Sequence, residues 1–256
     1  MDPHQQEILR SPGGTERLLL DGAQLCASES GQRYALRQDI AIFLEQAQGQ
    51  NQKYQQMYDR LSVGYDLAEW FYYFVTRKRT YREEFIEDLE FPPGGRVLEV
   101  SIGTGANLCY VPKDVELYGV DLSWGMLQRC ARKLLRQKRS AWLAQCEAEA
   151  LPFADASFDC VYHIGGINFF HDRSAAIDEM IRVARPGARI IISDETEKVV
   201  REHYQRNPAT KAYYEKGTEN VSAPLELIPA TMQELKLREI AEGRLYCLSF
   251  RKPLSD

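Results

Sequence analysis

With 256 residues, 44% of them hydrophobic and 27% charged, the chain has the make-up of an ordinary folded protein and room for one α/β domain plus a small appendage. A net charge of −5 argues against a dedicated nucleic-acid binder, which needs a surplus of Lys and Arg, but leaves room for a local basic patch. No apolar run approaches the ~20 residues of a membrane-spanning helix, and Met1–Gln6 lacks secretory-signal character. Six cysteines without a Cys-x-x-Cys pair indicate neither a zinc site nor a disulfide framework, so a cytoplasmic protein with reduced thiols is expected.

In residues 1–49, short β-like runs at Arg17–Leu20, Gln24–Cys26, Arg33–Leu36 and Ile40–Leu44 predict a small β-rich appendage packed on the rest. Polar Gln46–Gln52 reads as a linker, and the main domain is expected over residues 54–256. Tyr58-Asp59 and Tyr65-Asp66 repeat a Tyr-Asp pair ahead of an aromatic helix at Trp70–Phe74. Phe85, Ile86 and Leu89 fall at helical spacing, and Phe91–Gly95 punctuates the chain before the first strand of the domain.

Arg96–Asn107 then reads as a buried strand ending in a glycine turn that opens a helix: Val97, Leu98 and Val100 are apolar, and Gly103 and Gly105 permit a sharp turn. Tyr118–Leu122 is a second strand with Asp121 at its tip. Ser123 can cap a helix running through Met126, Leu127, Cys130, Ala131, Leu134 and Leu135. Further strands are expected at Trp142–Cys146, Phe158–Tyr162 and Arg189–Asp194, with a helix over Ser174–Ala184. A hairpin of Leu235–Ile240 and Leu245–Lys252 would complete a doubly wound, mostly parallel α/β sheet of seven strands.

A glycine turn followed about twenty residues later by an acid at a strand tip is a nucleoside-binding arrangement, the acid accepting from ribose hydroxyls. Leu108 stands where a dinucleotide fingerprint has its third small residue, and the Glu99 carboxylate suits a cationic or amino-bearing ligand better than a phosphate. An NAD-dependent oxidoreductase is thereby disfavoured.

Leu98-Glu99-Val100-Ser101-Ile102-Gly103-Thr104-Gly105 resembles motif I of the class I S-adenosylmethionine-dependent methyltransferases, with Ser101 where many members have glycine. Glu147-Ala148-Glu149-Ala150-Leu151-Pro152-Phe153 resembles that family's Asp-Ala-x-x-Leu-Pro-Phe, with Glu for Asp, and Arg182–Ala188 its Arg-Val-x-x-Pro-Gly-Gly. The Tyr-Asp segment is similar to one that folds over the cofactor in the ubiquinone and menaquinone biosynthesis methyltransferases.

The resemblance implies S-adenosylmethionine as cofactor, held by Tyr65, Glu99, Gly103, Thr104, Gly105, Asn107, Asp121, Leu122, Met126, Glu147, Ala148 and His163. It implies methylation of carbon or oxygen on a small molecule, with residues 195–230 building the acceptor pocket. His163 ends the fourth strand, so it is the candidate catalytic base, with a structural role through a ring hydrogen bond as the alternative. His171, His203 and Tyr204 are weaker candidates.

Other readings are non-methylating chemistry or partner binding on the same cofactor site, and a tRNA or protein substrate. The last is raised by residues 1–49, which resemble the zinc ribbon preceding some bacterial RNA methyltransferases of this fold. The pattern survives only in outline. Ser11, Gly14 and Ser30 stand where it calls for cysteine and Cys26 is one residue out of place, so a metal-free relic is expected.

Overall fold

The computed structural model of the chain describes residues 3–44, 47, 51–52, 54–57, 59, 82–86, 88–199 and 222–254. Strands β1 to β4 span Leu18–Asp21, Gln24–Ala27, Arg33–Arg37 and Ile40–Ile42. Strands β5 to β9 span Arg96–Val100, Glu116–Asp121, Trp142–Gln145, Phe158–Ile164 and Ala184–Glu195, and the final hairpin is β10, Gln233–Ile240, with β11, Leu245–Arg251. The helices are α1 (Pro3–Ile8), α2 (Arg82–Ile86), α3 (Trp124–Gln137) and α4 (Arg173–Val183).

All these strands belong to one sheet in the order β1-β2-β3-β4-β7-β6-β5-β8-β9-β11-β10. Its β7-to-β10 part holds the seven strands expected from the sequence, with β11 antiparallel between β9 and β10. The expectation of seven is nevertheless corrected to eleven. β4 pairs parallel with β7, Ile40 opposite Leu143 and Ile42 opposite Gln145, so the N-terminal meander continues the sheet rather than packing on it. The physical reason is the β7 edge, whose unpaired N–H and C=O groups need a partner.

Successive residues of the central strands are buried on opposite faces, as a sheet covered on both sides requires. Leu98, Val100, Val120, Val161 and Ile192 share one face with Leu9, Leu18, Phe153 and Phe158; Val97, Leu117, Leu143, Tyr162 and Ile191 share the other with Phe85 and the α3 residues Leu127, Cys130 and Leu134. α3 starts where the sequence places it: the Ser123 hydroxyl accepts from the Met126 amide at 3.2 Å. α4 is capped by Asp172, whose carboxylate accepts from the Ala175 amide.

The helix expected after the glycine turn does not form. Residues 101–111 are a run of turns, closed by bonds from the Gly105 amide to Ile102 and from the Tyr110 amide to Asn107. Gly103 and Gly105 both have positive φ, and Pro112 follows at once, so too few residues are left for a helix. The Arg139 guanidinium satisfies the carbonyls of Leu108, Val111 and Pro112.

In the N-terminal meander, the Glu16 carboxylate accepts from the amides of Glu29 and Ser30 and from the Ser30 hydroxyl, while Ser11 Oγ lies 2.7 Å from Thr15 Oγ1. Among the described residues no three His, Cys, Asp or Glu side chains converge as a metal site, all six cysteines are free, and no helix is long and apolar enough to cross a membrane.

Candidate cofactor site

The site gathers at the carboxyl ends of β5, β6 and β7, where open α/β sheets bind ligands. Ser101 leaves β5 with φ 60°, the left-handed conformation that explains glycine at this place in the resembling motif. The chain then crosses to β6: the Gly103 amide donates to Asp121 Oδ2 and the Ser123 amide to Oδ1, each at 2.8 Å. The Leu122 amide adds to them, which leaves at least one of the carboxylate's four lone pairs for a ligand. Burial pushes the Asp121 carboxyl up to about 6, against the pull of those backbone bonds. At Gly105 an added Cβ would lie 2.6 Å from Leu108 Cδ1 and 2.9 Å from Cys130 Sγ. Fully buried Leu108 thus fills the ground that a dinucleotide site keeps small.

Beside Asp121 opens a recess of about 270 Å³ lined by Asp121, Leu122, Glu147 and Ala148 from the expected set, with Asn51, Ser101, Glu149 and Phe170. The Ala148 amide makes no hydrogen bond among the described residues and borders this recess, so a donor stands beside the Glu147 carboxylate acceptor. A ribose-accepting acid, a paired donor and acceptor, and apolar Val100, Val120 and Leu122 between them suit an adenosine-bearing cofactor.

A roof crosses the recess that the sequence reading did not foresee. Residues 51, 52, 54–57 and 59 are helical, not linker. Asn51 Nδ2 donates to Glu147 and Glu149 at 3.1 and 3.2 Å, Gln55 Nε2 to the Leu122 carbonyl at 3.3 Å, and Asp59 accepts from the Ser123 hydroxyl and the Gly125 amide. These three side chains lie at i, i+4 and i+8, one face of a helix. That spacing was the available signal, hidden in a Gln-rich stretch.

The other expected residues separate into groups. Glu99 is buried on the α3 face, accepting from Asn107 Nδ2 at 2.6 Å and the Tyr162 hydroxyl at 2.9 Å. Tyr162 sits opposite Glu99 in the parallel register, and burial and that carboxylate together raise its pKa well above the ordinary value. Thr104 is buried with Oγ1 unpartnered, and Met126 is buried under α3. His163 is fully buried, one layer behind the recess wall: Nδ1 is 3.1 Å from the Val100 carbonyl and the ring packs edge-on against Phe170. Because a carbonyl only accepts, Nδ1 carries the proton, and Nε2 is an acceptor with no hydrogen-bond partner among the described residues. Burial lowers this imidazole to about 4. His171 lies on the exposed loop, its amide bonded to Asn51 and Glu149. Tyr65, His203 and Tyr204 lie outside the described residues.

At the ends of β8 and β9, buried Asp194 accepts from the Asn168 amide at 2.9 Å, and Asn168 bridges to the Glu195 carbonyl and the Tyr246 hydroxyl. This network fixes the loop that brings Phe170 to the recess, and no local sequence pattern marks it.

Residues 98–192 match the methyltransferase domain family. A ubiquinone/menaquinone biosynthesis C-methyltransferase UbiE of Geotalea daltonii is 32% identical over 149 residues, 55% of this chain and 62% of that protein. The UbiE of Geobacter sulfurreducens is 30% identical over 162 residues, again 62% of its length. The chain therefore spans about three fifths of these curated relatives.

Among solved structures, the [4+2]-cyclase SpnF superposes with TM-score 0.62 at 16% identity, covering 83% of this chain and 99% of SpnF. A Thermotoga maritima S-adenosylmethionine-dependent methyltransferase, titled a possible histamine N-methyltransferase, gives 0.57 at 21% identity, covering 77% and 99%. Such likeness establishes a Rossmann-like methyltransferase fold, and a [4+2]-cyclase among these structures shows that the fold alone does not decide the reaction.

Proposed function

We propose that the chain is an S-adenosylmethionine-dependent methyltransferase acting on a small molecule at carbon or oxygen. The observation that carries this reading is Asp121, fixed by the Gly103 and Ser123 amides at the mouth of a recess floored by Glu147-Ala148. The methyltransferase-family match over the same stretch supports it. Asp121 holds the ribose, Glu147 and Ala148 the adenine edge, and Leu122 and Met126 the apolar sides of the nucleoside. Gly103, Thr104, Gly105 and Asn107 shape the turn around it. Glu99, oriented by Asn107 and Tyr162, faces the amino end of the cofactor.

When bound, the cofactor supplies an electrophilic methyl group on a sulfonium, so the protein has chiefly to align the acceptor and exclude water. His163 Nε2 serves as acceptor for the proton of a hydroxyl or acidic carbon where the wall at Val100 and Phe170 opens to let the acceptor reach the buried ring. The pocket for that acceptor is assigned to 195–230, of which 200–221 lie outside the described residues, and 1–49 are read as an edge module that binds no metal. Behind the last inference stands the Glu16 carboxylate, which ties the Ser30 loop where the ribbon pattern has a thiol. Stoichiometric zinc in the purified protein, lost with Cys26→Ser, would overturn it.

Calorimetry with S-adenosylmethionine, S-adenosylhomocysteine and NAD tests the assignment. The first two are expected to bind and NAD not. Asp121→Ala should weaken binding by about 1.5–3 kcal/mol, the cost of hydrogen bonds lost from a charged acceptor. Binding of NAD alone, or affinity indifferent to Asp121→Ala, would reject the reading.

A further inference from the structure

Between Asp121 and Glu147 the chain has six Lys or Arg and no acid, in a protein whose net charge is −5. Four of them, Arg129, Arg132, Lys133 and Arg136, fall at i, i+3, i+4 and i+7 of α3. They form one stripe along the helix, turned away from the buried face of Met126, Leu127, Cys130 and Leu134. Lys138 follows at the C-cap, and Leu135, next to Arg136, is 77% exposed. Helix-dipole attraction accounts for cations in the last turn, at Arg136 and Lys138, but not for Arg129 and Arg132 nearer the middle. A solvated helix face ordinarily alternates its charges so that neighbours one turn apart attract. Here they repel, and among the described residues no salt bridge relieves Arg129, Arg132, Arg136 or Lys138.

We propose that this face of α3 docks on an anionic phospholipid bilayer, the basic stripe lying against headgroups and Leu135 entering the interface. The charge is complementary, and a cluster of this size on one helix face suits anionic lipid, each cation at the surface strengthening attachment by about fivefold. A protruding aliphatic side chain among cations belongs to interfacial helices. RNA is the lesser fit, because the stripe displays no aromatic ring on which bases would stack.

The test is co-sedimentation of the full chain with phosphatidylcholine vesicles, with and without phosphatidylglycerol, at low and high salt. Binding is expected only with phosphatidylglycerol, and should fade as salt screens the charges. Joint Arg129→Gln, Arg132→Gln and Arg136→Gln replacement should lower the partition at least about tenfold, and Leu135→Ser by a smaller factor. Calorimetric cofactor binding and circular dichroism check that the variants are folded; should the triple variant fail to fold, the lipid and salt dependence of the natural chain still decides. Equal sedimentation with both vesicles, none with either, or an unaffected folded triple variant would overturn the proposal. So would salt-sensitive retention on polyuridylate together with indifference to vesicles, which assigns the stripe to RNA.

Discussion

Asp121 and His163 are held by the fold in protonation states that the unfolded chain would not keep, and their contributions to stability run in opposite directions. The buried ring of His163 is lowered to about 4. Between about pH 6.5 and that value the unfolded imidazole takes a proton that the native one refuses, so stability falls with acidification by on the order of 3 kcal/mol. Asp121, raised to about 6, keeps its proton in the native state where an unfolded carboxyl has lost it. Its stabilising contribution is therefore full below about pH 4 and is lost as pH rises through 6. Urea midpoints measured across that window should rise with pH more steeply in Asp121→Asn than in the natural chain. In His163→Gln they should flatten or fall; parallel profiles in all three proteins would refute both assignments. The same His163 variant addresses chemistry: lost base function should reduce kcat by about 10²–10⁴-fold while cofactor affinity holds. Turnover within a few-fold would leave the imidazole a structural role through its bond to Val100.

The roof over residues 51–59 is the element on which access to the site depends. Asn51 already occupies one oxygen of Glu147 at the edge of the recess. A cofactor that reaches that oxygen must displace Asn51. Asn51→Ala should cost the closed form about 1 kcal/mol and accelerate both association and release about fivefold, with Kd little changed. Stopped-flow rates unchanged beside a shifted Kd would mean that Asn51 contacts the ligand rather than gating it. The strand–turn–strand unit around Asp121 was legible because its signals are local: alternate burial, two glycines and an acid at a strand tip. Ser101 departs from the glycine of the resembling motif, and its positive φ shows what that departure costs. The expected helix after Gly105 misled because apolar Ile102, Leu108 and Val111 suit buried turns as well as a helix face. Asn51 was invisible for another reason: its partners at Glu147 and Glu149 are about a hundred residues away, and only the tertiary fold chooses them.

At the scale of the molecule, one sheet runs without a seam from the N-terminal meander to the C-terminal hairpin. One hydrophobic cluster contains Leu9, Leu18, Leu25 and Tyr34 together with Trp142, Phe153, Leu248 and Phe250. Ile40 and Ile42 of β4 belong to the cluster on the opposite face, packed with Leu143 and α3. A continuous core of this kind unfolds as a unit, so urea curves followed by far-UV circular dichroism and by tryptophan fluorescence should coincide in a single transition. Removing residues 1–44 tests the point more severely. It takes Leu9, Leu18, Leu25, Tyr34, Ile40 and Ile42 out of the core, at about 1.5–3 kcal/mol for each large apolar side chain. The ordering entropy of the removed residues offsets much of this, so the outcome is decided by the apolar surface left uncovered on the remaining core. It also bares the β7 edge, where Trp142–Gln145 would present unpaired backbone to other chains. The truncated protein is expected to lack a cooperative transition and to aggregate. Were it to remain monomeric, with a single transition within about 2 kcal/mol of the full chain's stability, residues 1–49 would be a dispensable appendage and 54–256 a self-sufficient domain.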